Sequence, residues 1–171
     1  MSHLFTLYRE PDLEMHGSIL TRHAVRAIIR QTDTYLFIQS QKYGEVKFPG
    51  GGRDTREHIV DALAREVLEE TGYRIHRRVQ YLGSTIEYAR DIFKEYDIFC
   101  QKSRYYFCQT HRHQYPRALD PYEIEYGYEV VHMTLDDAIR INESITRNDM
   151  IPWLERDTLV MKMLKERADA D

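Results

Sequence analysis

Between Arg65 and Glu70 the chain reads "REVLEE", which sets Glu66, Glu69 and Glu70 on a segment of helical period. On a helix these carboxylates share one sector, away from the apolar stripe of Val60, Leu63, Ala64 and Val67. Glu66 and Glu70 form an i, i+4 like-charge pair, a cost of roughly a few tenths of a kcal/mol in an isolated helix. Negative charge near a helix C-terminus also opposes the macrodipole. A compensating positive partner is therefore expected. Arg65, four residues before Glu69, is one; a hard divalent cation, which seeks carboxylate oxygens, would be the other. Such an ion neutralises phosphate oxygens and lowers the pKa of bound water, the equipment for hydrolysing a diphosphate. Helical glutamates alone are more often a solvated face, so the surrounding residues must decide.

Positioning these side chains requires a turn and a helix. "FPGGG", Phe48 to Gly52, supplies glycines where the backbone must come close to a neighbour. Asp54 reads as the helix N-cap, with Glu57 three residues on in a capping-box arrangement. Gly72 stands where a left-handed residue would end the helix. Without metal, like-charge repulsion predicts that Gln at position 69 or 70 is neutral to slightly stabilising. Upstream, "RHAVRAIIR" (Arg22 to Arg30) and "TYLFIQS" (Thr34 to Ser40) read as paired strands. Downstream, "VQYLGSTIEYAR", "YYFCQT" and "YEVVHMT" read as strands, with "DIFKEYDIFCQKSR" unassigned between the first two. "LDDAIRIN" reads as a short helix, and Asn148 to Arg167 as a C-terminal helix with Pro152 in its first turns. Strands around a central helix, with helices at the end, predict an α/β fold with a mixed sheet. Residues 1–20, broken by Pro11 and Gly17, could be an edge strand, a loose arm or a dimer contact.

Composition narrows the class. The 171 residues suit one domain with a full core, and 42% apolar with 30% charged residues is a soluble globular balance. A net charge of −4 argues against a general nucleic-acid or membrane-surface binder. Cys100 and Cys108 cannot form a disulfide framework and fit a reducing cytosol. The N-terminus lacks the pattern of a signal peptide, and no apolar stretch is long enough to span a bilayer, so a cytoplasmic protein is expected.

Gly51, five residues, Glu57, seven residues and then "REVLEETGY" (Arg65 to Tyr73) resembles the Nudix box of the Nudix hydrolase family. Tyr73 departs from it, standing where the family usually has an aliphatic residue. "FPGGG" before the box and "EVVHMTLDDA" after it extend the resemblance over roughly residues 21–145, a Nudix hydrolase domain. Residues 1–20 are then an N-terminal arm, and residues 146–171 a C-terminal helix packed on or extending the domain.

The resemblance implies a Nudix-type α/β/α sandwich with the box helix against the sheet. It implies hydrolysis of a nucleoside diphosphate derivative, a nucleotide or dinucleotide, by water attack at phosphorus. Mg²⁺, with Mn²⁺ as a substitute, would be held by Glu66, Glu69, Glu70 and the carbonyl of Gly50. Glu66 could also orient or deprotonate the water; Arg65 and Glu57 would orient the carboxylates. For the acidic residue that many members add from outside the box, Glu123, Glu125 and Glu129 are candidates, with Glu125 preferred. Tyr88 lies near where members acting on dinucleoside polyphosphates carry a tyrosine, so it is a candidate contact for the base. The proline of ADP-ribose hydrolases and the extra motifs of the NADH and coenzyme A subgroups are absent. The implied partner is a small nucleoside diphosphate-type molecule, without stable nucleic acid or membrane; a homodimer stays open. One alternative is a silent Nudix-like nucleotide-binding or regulatory module, against which the intact box argues. Another is an isoprenoid diphosphate isomerase, which would need a cysteine in the site.

Overall fold

The computed structural model describes residues 2–146 and 151–168. Its centre is a mixed sheet built around β2 (Ile19–Gln31), which pairs in parallel with β7 (Ile98–Phe107) and at its far end antiparallel with β3 (Thr34–Ser40). β3 carries β9 (Tyr128–Met133) along one edge and, at Ile38 and Gln39, β4 (Val46–Lys47) along the other, both antiparallel. On the other side β6 (Gln80–Arg90) pairs antiparallel with β7, and β1 (His3–Tyr8) closes that edge in parallel with β6. A separate ribbon joins β5 (Tyr73–Ile75) to β8 (Thr110–Gln114). The residues before position 20 thus include an edge strand, and the unassigned segment after Asp91 becomes β7 from Ile98 onward.

Alternation along β2 divides the core between two layers. Val25, Ala27 and Ile29 pack against Ala62, Leu63 and Val67 of α1 (Ile59–Thr71). On the other face, Ile28 joins Phe37, Phe48 and Tyr105. There α3 (Leu135–Glu143) adds Ala138 and Ile139, and α4 (Leu154–Ala168) adds Val160 and Met161. The sandwich of helix, sheet and helices follows from this period-two split. Asn148 to Met150, the expected start of the last helix, lie outside the described residues. Among the described residues no helix is long and apolar enough to cross a membrane.

The start of α1 differs from the capping expectation. His58, not Asp54, is the N-cap, its ring nitrogen accepting from the Val60 N–H; Gly72 closes the helix as expected. Residues 54–57 form a turn of their own, with the Glu57 N–H donating to the Asp54 carbonyl at 3.1 Å. The Glu57 carboxylate accepts from the Asp54 N–H at 3.3 Å, but its main partner is Arg65, and that pairing holds it outside the helix. The buried stripe is likewise rotated: Ala62 joins Leu63 and Val67, while Val60 is only half-buried.

One side chain ties three elements together. Buried Asn142 of α3 accepts from the Val46 N–H of β4 at 2.8 Å. Its amide donates to the Val46 carbonyl at 2.9 Å and to the Thr158 hydroxyl of α4 at 3.0 Å. Asn142→Ala would strand two buried backbone groups, an expected loss of about 2–3 kcal/mol that urea unfolding would measure.

Candidate active site

The glycine turn is squeezed between strand and helix. β2 holds it by Val25 N–H to the Gly51 carbonyl at 3.0 Å and Ala27 N–H to the Pro49 carbonyl at 2.8 Å. Gly50 has φ +135°, and a Cβ there would lie 2.1 Å from the Val25 carbonyl oxygen. At Gly51 a Cβ would fall 2.2 Å from Oε2 of Glu66. Only glycine lets the backbone and that carboxylate share the space.

Cations hold each carboxylate of α1 in place. Arg65 donates to both oxygens of Glu57 at 2.9 Å, to Glu66 at 2.7 Å and to Glu69 at 3.1 Å, and also to the Gly52 carbonyl at 3.0 Å. Glu70, only 1% exposed, accepts from Lys47 Nζ at 2.7 Å and from the Gly50 N–H at 2.6 Å. Lys47 in turn lies over the Tyr128 ring, 4.3 Å from its centroid. Arg26, buried in β2, donates through Nη1 to the Gly50 carbonyl. Burial raises the Glu66 carboxyl above its usual range, and the charge of Glu70 adds to this against the pull of Arg65.

A fourth carboxylate joins them, and it is not the preferred Glu125. Within α2 (Pro121–Tyr126), Glu125 points to solvent, paired with Lys42 at 2.5 Å, and Glu129 is exposed and bonded to Gln41. Glu123 is the buried one. It accepts from the Asp120 N–H at 2.9 Å and from the Tyr122 hydroxyl at 3.1 Å. Burial, and then the charge of Glu70, push its pKa up to about 7. Glu66, Glu70 and Glu123 thus crowd negative charge into a partly dry region, the electrostatic demand that a divalent cation meets. The oxygen donors there suit a hard ion. Among the described residues, however, no group of acidic, histidine or cysteine side chains is already gathered as a metal cage. Lys47 and Arg26 hold the Glu70 carboxylate and the Gly50 carbonyl that the resemblance assigns to metal.

Beside the turn opens a cavity of about 390 Å³ bordered by Gly50 and Gly51. Arg9, Arg22, Arg26, Arg90, Arg156 and Lys47 line it, against the acidic Glu87 and Asp91. Leu20, Ala89, Phe99 and Trp153 supply apolar wall. Tyr88 is not part of that wall: Glu87 and Ala89 turn to the cavity, so Tyr88 between them takes the opposite face of β6, stacked on Tyr8 at 5.4 Å. The period of two along a strand is the reason. Both cysteines are buried and neither lines the cavity. Sequence reading passed over Arg26 and Lys47, although a charge inside an apolar strand was a visible signal. Arg156 carried no such local signal.

The model of the NUDIX domain matches residues 20–154. The chain belongs to the NUDIX family. Every charged and glycine position of its box is filled, and the family's enzymes hydrolyse phosphoanhydride bonds. Solved structures share the fold. A NUDIX hydrolase from Nitrosomonas europaea superposes with a TM-score of 0.55 at 23% identity, over 82% of this chain and 90% of that one. An ADP compounds hydrolase gives 0.56 at 21% identity, over 87% and 74%. A MutT NUDIX hydrolase from Burkholderia pseudomallei gives 0.52 at 21%, over 68% and 85%. No curated protein matches the sequence.

The Lys47 pair reverses the repulsion argument for one glutamate. Glu70→Gln should destabilise the metal-free protein by about 2–4 kcal/mol, because it leaves the Lys47 charge buried without a partner. Glu69→Gln, half-exposed, should shift stability by no more than about 0.5 kcal/mol. Paired thermal melts distinguish the two. The Arg65 guanidinium holds the Glu57 carboxyl below the usual carboxylate range. A depressed folded pKa stabilises above the unfolded value, about 4.3, and that stabilisation fades as pH falls through the folded one. Wild type should therefore exceed Glu57→Gln by about 1 kcal/mol at pH 7 and lose that advantage in acid, read from melts across pH.

Proposed function

We propose that this chain is a Mg²⁺-dependent pyrophosphohydrolase of nucleoside diphosphate derivatives, with Mn²⁺ able to substitute. The observation that carries the reading is one juxtaposition: a carboxylate cluster packed against the glycine turn, whose Gly50 and Gly51 border an arginine-lined cavity. Glu66, Glu69, Glu70 and the Gly50 carbonyl would hold the metal, with Lys47 and Arg26 giving up their present contacts to face phosphate oxygens. When bound, the ion neutralises the diphosphate and acidifies a water.

The protein's own groups supply the rest. Arg65 keeps Glu57, Glu66 and Glu69 in fixed rotamers, so the carboxylates need not reorganise when substrate arrives. Glu66, set against Gly51, and Glu123, whose carboxyl is raised beside Glu70, would be the candidates to take a proton from an attacking water. The cavity's cationic wall binds the diphosphate, and its apolar wall takes the remainder of the substrate.

A panel of nucleoside diphosphate derivatives, assayed for release of nucleoside monophosphate, tests this reading. Activity should vanish in excess chelator and return with Mg²⁺. Glu69→Gln should lower kcat by about two orders of magnitude at an unchanged melting temperature. Full turnover in chelator, or a fully active Glu69→Gln enzyme, would refute it.

A further inference from the structure

The cavity floor is laid out in ladder rows. Arg22 of β2 sits opposite Gln101 of β7, which sits opposite Glu87 of β6, so these three make one polar row. The next row outward is Leu20, Phe99 and Ala89, which is apolar. Gly51 of the glycine turn is pinned at Val25, so the polar row lies about 10 Å along β2 from that contact and the apolar row about 16 Å. That is the reach of an extended nucleotide whose phosphates sit at the turn.

Over the polar row hangs Arg156 of α4, only 2% exposed. Its Nη1 donates to Glu87 at 3.0 Å, and its Nε donates to Asp157 at 3.1 Å and to the Tyr105 hydroxyl at 3.2 Å. Among the described residues Nη2 has no partner, although it is buried. A desolvated guanidinium N–H left unmade is costly, and in a residue that lines a binding cavity it marks a place for a ligand acceptor. The charges around it say which kind. Arg9 donates to the other oxygen of Glu87 at 2.5 Å, so Arg9 and Arg156 are matched by Glu87 and Asp157. The Arg156 charge is thus already met, and a second phosphate here would face the Glu87 carboxylate. A neutral oxygen fits better.

We infer that Arg156 is a specificity-determining residue that reads a carbonyl oxygen on the substrate's nucleobase, so that the enzyme selects keto bases over adenine. The inference rests on the nucleotide reading above. In adenine an amino group replaces the 6-oxo group of hypoxanthine; it would set donor against donor and leave Nη2 unpaired. Flat apolar neighbours at Phe99, Ala89 and Leu20 suit the ring itself.

Equilibrium binding of the α,β-methylene analogues of inosine and adenosine diphosphate to the whole protein tests this without turnover. The two ligands differ only along the C6–N1 edge, in oxygen against amino group at C6 and N–H against lone pair at N1. The inosine analogue should bind about tenfold tighter or more, and Arg156→Lys, which keeps the charge but loses the fork, should erase the difference. If Arg156→Lys fails to fold, the wild-type comparison still decides. Equal binding, or tighter binding of the adenosine analogue, overturns the inference. So does a variant that keeps the full preference. A wild type that hydrolyses nucleotides without base preference sinks this inference and leaves the hydrolase reading standing; a protein that binds neither analogue and cleaves no nucleotide sinks both.

Discussion

The site depends on one buried contact, Glu70 held between the Lys47 ammonium and the Gly50 N–H. It ties the last residue of β4 and the glycine turn that follows it to the final turn of α1. A carboxylate this deeply buried must be paired, and its partners fix where it stands. Glu66, on the preceding helical turn, stands against Gly51, and Glu123 stands in electrostatic contact with Glu70. Burial is the larger cause of the raised pKa values of Glu66 and Glu123, and the charge of Glu70 adds to both.

Arg65 plays the complementary part on the wetter side. Its planar fork reaches Glu57, Glu66, Glu69 and the Gly52 carbonyl together, which a lysine could not do. The helix tolerates clustered glutamates near its negative end because this guanidinium and Lys47 supply the positive charge. Local repulsion is real, but tertiary pairing outweighs it.

Features set by short-range rules were legible in the sequence. The box, the strands flanking it and the cap at Gly72 all follow from period, turn chemistry and spacing. Features set by long-range contact were not. Choosing Glu125 over Glu123 meant guessing which face of a six-residue helix is buried, and composition does not encode that. Tyr88 failed as a cavity residue through a one-residue change of face on β6. The helix start was misplaced because Asp54 and Glu57 carry a capping pattern that Arg65 diverts to another purpose. Arg9 and Arg156 gave no hint of meeting at Glu87, since 147 positions separate them in the chain.

That meeting bears on how such a protein can change. Arg9 follows the edge strand β1, and Arg156 stands on α4, so both lie outside residues 20–154, the stretch shared with the family. The carboxylates and the glycine turn lie inside it. If Arg156 reads the base, part of the selectivity lies outside that stretch, although Leu20, Glu87 and Phe99 of the cavity floor lie inside it. A lineage could redraw the walls by exchanging its two ends, leaving the cleavage machinery untouched. Divergence at the termini would then record a history of changing diets, while the middle records a single trade.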